Sequence, residues 1–290
     1  MRKRSGSVPR IPIFQIGGAG SIPVPLLHPT SITLEQVATP LIVALQAQMS
    51  KVVWRPAPGR KLGFLVRHEA MLLGLIFLTS PVISMECRDR YLQLQKVGRG
   101  KALRHYADLS VCVGVQPLAW YWNLGKLLAL IATTVGDTFL ARYGDELKGI
   151  ITTSVWGRSS QYNRIYKQIG ATKGFGHEHI SETRYQQMLQ WLRDNGHPVP
   201  SCRFGAGSNP RMRRIMAYRK ASGDLTATVY HGHSRGVYYH PAISAAQREQ
   251  VISDWYVRWG WPRYTRMKDQ LAPYQTGLDP NPNREPRPEG

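Results

Sequence analysis

The longest apolar run of the chain, AMLLGLIFLTSPVISM at residues 70–85, constrains the fold more than any other segment. It contains Pro81 and is shorter than the roughly 20 residues that a membrane-spanning helix needs. Residues 61–80 form two apolar stretches on either side of the polar residues 67–69, which is the pattern of two strands joined by a turn. We therefore predict a buried pair of strands here and no membrane span.

The segments after this pair alternate between strand-like and helix-like patterns. Residues 109–117 and 147–155 have the composition of buried strands. Residues 124–144 carry apolar residues at helical spacing and end on Gly144, a typical C-terminal cap. Helical patterns also cover residues 31–50, 88–108 and 181–196. The alternation predicts an α/β (α+β) fold with a mixed sheet, followed by a basic, partly helical C-terminal subdomain.

We expect the chain to divide into four segments. An N-terminal arm and helix would occupy residues 1–50, and an α/β core would occupy residues 51–185. A basic subdomain would follow at residues 186–272, and the composition of residues 273–290 favours a disordered tail.

The charge balance limits the classes of partner. The chain has 38 lysines and arginines against 18 aspartates and glutamates, which gives a net charge of +20. Such an excess favours a polyanion, most often nucleic acid, because neutralised phosphates release counterions. A basic, solvated surface without such a partner is the alternative. The three cysteines lack CxxC spacing, so they indicate neither a zinc ribbon nor a disulfide framework and fit a reducing cytoplasm.

Metal-dependent chemistry is not predicted. Two HxH strings occur at residues 177–179 and 231–233, but no carboxylate or cysteine is spaced to complete a metal shell. The chain also lacks a clustered set of acids of the kind that holds catalytic metal ions in nucleases, unless Asp89, Asp108 and Asp137 converge in space.

Basic residues of the second half are spaced for contacts with a phosphate backbone. Arg211, Arg213 and Arg214 would fan around a helix that begins near Pro210. The string WYVRWGWPRYTRMK at residues 255–268 interleaves aromatic and basic side chains, which either stack on splayed bases or cap the core. Further nucleic-acid contacts are expected from Arg158, Arg164, Lys173 and Arg235.

The segment after strand 109–117 has features of a phosphate site. A helix that starts near residue 124 would present free N–H groups and a positive dipole end to a pyrophosphate. Asn123, Gly125 and Lys126 would lie closest to it, because Gly125 lets the backbone approach and Lys126 adds charge. An ordinary strand-to-helix connection is the alternative, since the string matches no established phosphate motif.

The string Asn163-x-x-Tyr166-Lys167-x-x-Gly170 follows the next strand and resembles the fourth helix of the GNAT acyltransferases. The resemblance implies that Tyr166 protonates the departing thiolate of coenzyme A, while Asn163 orients the cofactor. That cofactor would be acetyl-CoA or another acyl-CoA. Alternatively, Tyr166 packs in the core with its hydroxyl group satisfied.

Four longer blocks resemble a second family. GKLLALIATT, ITTSVWGRSSQYNRIYKQIGATKGFGHEHIS, RFGAGSNPRMRRI and HGHSRGVYY occur in the order typical of the DruA-like family. That family is named for the Druantia anti-phage defence systems and also occurs near mobile elements. The resemblance covers about residues 60–240 and implies a GNAT-like core. The chain is also similar, more distantly, to the Mom proteins that modify adenine in phage DNA.

Two functions follow from these resemblances. An enzyme would transfer an acyl or carbamoyl-type group from a thioester donor to the amine of a nucleobase. A non-catalytic module would instead bind DNA within a defence or transposition complex. Two features favour this second function: residues 120–122 are bulky where a pantetheine arm would lie, and the pyrophosphate loop has only one glycine that could let a phosphate approach. Either protein would act in the cytoplasm, away from membranes. Its partners would be nucleic acid, with DNA favoured, and other defence or transposition proteins.

Overall fold

One mixed sheet organises the chain. The computed structural model describes residues 24–50, 59–154, 159–172, 182–201, 210–223 and 234–275. Within these residues the strands are β1 (Ile32–Val37), β2 (Lys61–His68), β3 (Met71–Thr79), β4 (Tyr106–Gly114), β5 (Gly149–Thr153), β6 (Lys167–Ala171) and β7 (Gly236–Pro241). They lie in the order β1-β2-β3-β4-β5-β7-β6. Only the β4–β5 pair of this described sheet is parallel, which confirms the predicted mixed sheet.

Helices cover the sheet and form most of the described C-terminal part. Those before β5 are α1 (Thr39–Met49), α2 (Glu86–Tyr91), α3 (Arg99–Ala102), α4 (Leu118–Trp122), α5 (Leu124–Ala132) and α6 (Gly136–Tyr143). Those after β6 are α7 (Glu182–Asp194), α8 (Pro210–Ser222), α9 (Arg248–Trp255) and α10 (Trp261–Gln275). A π-helical turn, Tyr256–Gly260, joins α9 to α10.

The apolar run that constrains the fold forms the centre of the sheet. β2 and β3 pair antiparallel as the sequence predicts, but the turn is formed by residues 69 and 70, with Glu69 at φ 54°, because β2 continues to His68. Leu75 and Ile76 of β3 are fully buried. In the part of the chain that the structure describes, no single helix has both the length and the apolar character to cross a membrane, although the bent pair α5 and α6 meets that test when its two parts are counted together.

Four predicted helices were partly wrong. The helix predicted over residues 124–144 is broken into α5 and α6, which are bent by 46° relative to each other. The first half of residues 31–50 is strand β1, which pairs with β2, and Pro40 sits in the first turn of α1, where a missing N–H costs no helical hydrogen bond. Residues 88–108 hold the end of α2, the short α3 and the first residues of β4 rather than one helix. The stretch from Asn163 to Tyr166 lies in turns, and the Asn163 carbonyl oxygen accepts a hydrogen bond from the distant Lys126.

The main core lies between one face of the sheet and α5. Leu127, Leu128 and Ile131 of α5 are fully buried, and α9 packs on the outer side of this helix. The opposite face is covered over β2 to β4 by α1, through Ile42 and Leu45.

The sheet crosses the expected segment boundaries. β7 comes from the segment expected as a separate basic subdomain, yet it lies between β5 and β6. β1 comes from the expected arm and pairs with β2. The division at residues 50 and 185 therefore does not separate sheet from subdomain. Residues 1–23 and 276–290, which include most of the expected arm and tail, lie outside the described residues.

Candidate functional site

The parallel strands β4 and β5 part after a short pairing. Their register runs from Tyr106 opposite Gly149 to Asp108 opposite Ile151, while β4 continues to Gly114. At the point of parting, the Thr152 hydroxyl donates a hydrogen bond to the Leu109 carbonyl oxygen at 3.0 Å. Main-chain groups of β4 beyond this point therefore need partners from outside the pair.

The turn of residues 159–166 supplies one of these partners. The Gln161 side-chain amide donates to the carbonyl oxygen of Cys112 at 3.1 Å. The same side chain packs against Gly125, where an added Cβ would lie 3.1 Å from Gln161 Cγ. Gly125, predicted to admit a pyrophosphate, thus admits the Gln161 side chain in this structure.

Lys126 fastens this turn to α5. Its ammonium group donates to the carbonyl oxygens of Ser160 at 2.8 Å, Gln161 at 3.3 Å and Asn163 at 2.6 Å. Only 7% of the residue is exposed. Burial, and secondarily the charge of Arg164, lowers the pKa of Lys126 to about 8. All three ammonium protons have carbonyl acceptors, so Lys126 acts here as a clamp and contributes a fixed positive charge.

Tyr166 is a buried residue of the core. Its hydroxyl group donates to the carbonyl oxygen of Ala129 at 2.8 Å, and burial raises the pKa of Tyr166 well above its ordinary value. Its ring contacts Tyr162 at 5.7 Å between centroids. The general-acid role predicted for Tyr166 would require the hydrogen bond to Ala129 to be broken.

Asn123 and Asn163 lie beside the same helix start. Asn123 adopts the left-handed conformation, φ 55° and ψ 41°, between α4 and α5. Its carbonyl oxygen accepts from the Trp255 indole at 3.4 Å. The Asn163 side-chain oxygen accepts from the Tyr238 hydroxyl at 3.4 Å. The structure thus brings together the five residues predicted for catalysis and cofactor binding, namely Asn123, Gly125, Lys126, Asn163 and Tyr166.

Comparison with known proteins shows the family to which the chain belongs. A family model described as Druantia protein DruA matches residues 44–251. The chain belongs to the DruA family. A Druantia protein DruA of Escherichia coli (strain UMEA 4076-1) is 32% identical in an alignment 204 residues long, and the match covers 62% of this chain and 50% of that protein. The chain therefore matches about half the length of this curated relative, and β1 and α10 lie outside the residues that the family model matches.

The arginines of this DruA-family chain that were predicted to bind phosphates hold α8 against α7. Arg211 pairs with Glu182 and lies 4.1 Å from the centre of the Tyr185 ring. Arg213 donates to the Ser201 carbonyl oxygen at 3.1 Å, and Arg214 donates to that of Pro200 at 2.9 Å. The two helices share a small core of Tyr185, Met188, Leu189 and Ile215.

The other predicted nucleic-acid contacts have different environments. Arg164 lies exposed in the turn beside Lys126, with φ 70°, and Arg235 lies exposed at the start of β7. Arg158 and Lys173 lie outside the described residues, as do the HxH strings. Among the residues the structure does describe, no group of three histidine, cysteine, aspartate or glutamate side chains could hold a metal ion.

The aromatic string 255–268 divides between core and surface. Trp255 is fully buried, whereas 42% of Trp261 is exposed. Trp259, between them, is half-buried and carries the Arg258 guanidinium 4.8 Å from its ring centre. Sequence reasoning did not connect this string with Lys126, whose ammonium lies 5.8 Å from the same ring. The two residues are far apart along the chain, so no local pattern could reveal the contact.

A polar chain on β4 was also missed. The Ser110 hydroxyl donates to the Asp108 carboxylate at 3.0 Å and shares a hydrogen bond with Thr79 on β3. Burial raises the pKa of Asp108 to about 6, although the hydrogen bond from Ser110 and the charges of Arg88 and Arg235 act in the opposite direction. The spacing of two polar residues on one face of an otherwise apolar strand was the available signal.

Proposed function

We propose that this protein binds nucleic acid, with DNA favoured, as a component of a Druantia-type anti-phage defence system. Membership of the DruA family supports the defence role. The net charge of +20 supports the nucleic-acid partner. Other proteins of such a system, or of a transposition complex, would be further partners.

The observation that carries this proposal is the number of exposed cations without an acid partner. Many exposed lysines and arginines have no carboxylate within salt-bridge distance among the described residues: Lys96, Lys101, Lys148, Arg164, Lys167, Lys220, Arg235, Arg258, Arg266 and Lys268. Unpaired surface cations repel one another, and the free energy of the system falls when phosphates approach them. A polyanion is therefore the partner that such a surface fits.

The test is the salt dependence of binding. Labelled duplex and single-stranded DNA, with RNA of the same sequence, would be titrated with the protein at salt concentrations between about 50 and 200 mM. We expect an affinity that falls linearly on a log–log plot, because each phosphate contact releases about one counterion. A salt-independent affinity, or no binding by folded protein at the lowest salt, would contradict the proposal.

The strand order favours a second candidate, a GNAT-like acyltransferase that acts on a nucleobase. The insertion of β7 between β5 and β6, and the parting of the parallel strands β4 and β5, fit the GNAT-like core that the sequence resemblance implies. The acceptor would be the amine of a base, as the distant similarity to Mom proteins suggests. Two positions weigh against this candidate. Gln161 fills the space beside Gly125 where a pyrophosphate would lie, and the Tyr166 hydroxyl proton is already donated to the Ala129 carbonyl oxygen.

Calorimetric titration with acetyl-CoA tests this second candidate. The control is Asn123→Asp, which places a carboxylate at the start of α5 without changing side-chain size, and Asp tolerates the left-handed conformation found there. Gly125→Asp is less suitable, because its Cβ would lie only 3.1 Å from the Gln161 side chain, which would have to shift. Micromolar binding that the control abolishes supports an acyl-CoA site. No binding by the folded wild type leaves nucleic-acid binding as the function.

A further inference from the structure

Three positive side chains from distant parts of the chain are linked through Lys126, near the start of α5. They are Lys126 of α5, Arg164 of the turn 159–166 and Arg258 of the π-helical turn, and together with the Trp259 ring they are named here the Lys126 corner. The Trp259 ring connects two of them, because its centre lies 5.8 Å from the Lys126 ammonium and 4.8 Å from the Arg258 guanidinium.

Arg164 completes the group. It follows Asn163, whose carbonyl oxygen accepts a 2.6 Å hydrogen bond from Lys126. In keeping with this position, the charge of Arg164 contributes, after burial, to the lowered pKa of Lys126. Arg164 and Arg258 are both exposed, whereas Lys126 is buried. The corner therefore consists of one fixed charge below the surface and two guanidinium groups that reach solvent.

No acid neutralises this group within the described parts of the chain. Some arginines elsewhere carry a carboxylate partner, as Arg67 does with Glu35 and Arg60 does with Asp145. None of the three cations of the corner has a carboxylate within salt-bridge distance among the residues the structure describes. The positive end of the α5 dipole adds to their potential.

We infer that the Lys126 corner binds a phosphate group of a nucleic-acid backbone, with Arg164 and Arg258 donating hydrogen bonds to the phosphate oxygens. This inference rests on the proposed function and names the place where it operates. Guanidinium groups offer paired donors that fit phosphate oxygens, and the buried ammonium supplies charge without needing to move. A pyrophosphate of coenzyme A presents the same chemistry, so the experiment must distinguish the two sources.

The test is the double variant Arg164→Glu/Arg258→Glu in the full-length protein. Its charge-matched control is Arg142→Glu/Lys148→Glu, which makes the same change of charge on α6 and before β5. Lys148 precedes the amino end of the parallel pair, whereas the corner lies beyond its carboxyl end. Arg164→Lys/Arg258→Lys retains the charges and shows whether charge or the guanidinium shape matters. Circular dichroism and thermal melting would establish that every variant is folded.

We expect the corner variant to bind DNA on the order of tenfold more weakly than the charge-matched control, with a salt slope smaller in magnitude by about two. The Lys variant should bind with an affinity between those of the corner variant and the wild type. Equal losses in the corner variant and its control would overturn the inference, because net charge alone would then explain binding.

Competition by coenzyme A and by inorganic pyrophosphate separates the two sources of phosphate. Displacement of DNA only at millimolar concentrations supports a backbone phosphate as the occupant. Tight coenzyme A binding that the corner variant loses, together with unchanged DNA binding, would overturn the inference in favour of a nucleotide cofactor. Failure of the wild type to bind any nucleic acid is a different result, because it would remove the proposed function itself.

Discussion

Two regions of the molecule use basic side chains in opposite ways. The turn 159–166 packs against α5, and the Lys126 ammonium that holds it is almost completely buried. In the α7–α8 pair, the guanidinium groups of Arg211 and Arg213 lie at the surface between two helices, where Glu182 and the Ser201 carbonyl oxygen accept their hydrogen bonds. One segment is part of the main core, and the other has a small core of its own.

The difference shows that a basic side chain can stabilise the fold without forming a salt bridge. A buried ammonium needs three acceptors, and the irregular backbone of the turn provides them because it is not a helix. A surface guanidinium retains contact with water, so each of its hydrogen bonds contributes little net free energy. The first arrangement should therefore be far more sensitive to substitution than the second.

The largest expected effect is that of Lys126→Met. Methionine preserves most of the side-chain length but leaves three main-chain carbonyl oxygens without a donor. We expect the free energy of unfolding to fall by about 3 kcal/mol, as measured by urea denaturation. The exposed Lys148→Met is the matched control and should change it by less than about 0.5 kcal/mol. Equal losses of stability in the two variants would contradict the conclusion that the buried cation stabilises the fold more than a surface cation does.

A smaller effect is expected from Leu189→Ala in the core of the α7–α8 pair. Truncation of this buried side chain should cost about 2 kcal/mol, at the low end for leucine, because the surrounding core is small. Hydrogen exchange should accelerate in α7 and α8 and stay unchanged in β2 and β3. The exposed Leu140→Ala serves as control. Loss of protection in the central strands as well would mean that the two cores unfold together.

The smallest effect concerns a negative charge, Asp108 on β4. Its pKa is about 6 in the folded protein, above the ordinary value of about 4, so the folded state binds more protons between these pH values. Stability from this group is therefore lost as the pH rises from about 4 to 6. Because the side chain is half-buried, Asp108→Asn should stabilise the protein by about 1 kcal/mol at pH 7.

The gain from Asp108→Asn should disappear at about pH 4, where the wild-type carboxyl group is protonated in the folded protein. Urea denaturation at both pH values measures it. A destabilisation at pH 7 would show instead that the charged Asp108 carboxylate stabilises the fold, through the hydrogen bond that it accepts from Ser110.

Much of the framework was open to prediction from the sequence. The β2–β3 pair, the strands near residues 109 and 147 and the C-terminal cap at Gly144 follow from local patterns, and the structure confirms them. Strand β1 was missed because its alternation is short and is followed directly by a helix. The predicted helix at Tyr166 was wrong, and the turn found there is held by hydrogen bonds from Lys126, which lies 37 residues from Asn163 in the chain and is invisible to a local pattern.

The sequence by itself determined the mixed sheet, the family and the positive charge of this protein. Side-chain periodicity, the order of the motifs and the composition can all be read from the chain without knowing which segments meet in space. Only the tertiary structure decided which cations are buried and which reach solvent. It also placed β7 between β5 and β6 and brought Lys126 close to the Trp259 ring that Arg258 contacts. These outcomes depend on hydrogen-bond acceptors and packing surfaces contributed by distant segments, and no local pattern encodes which segments meet.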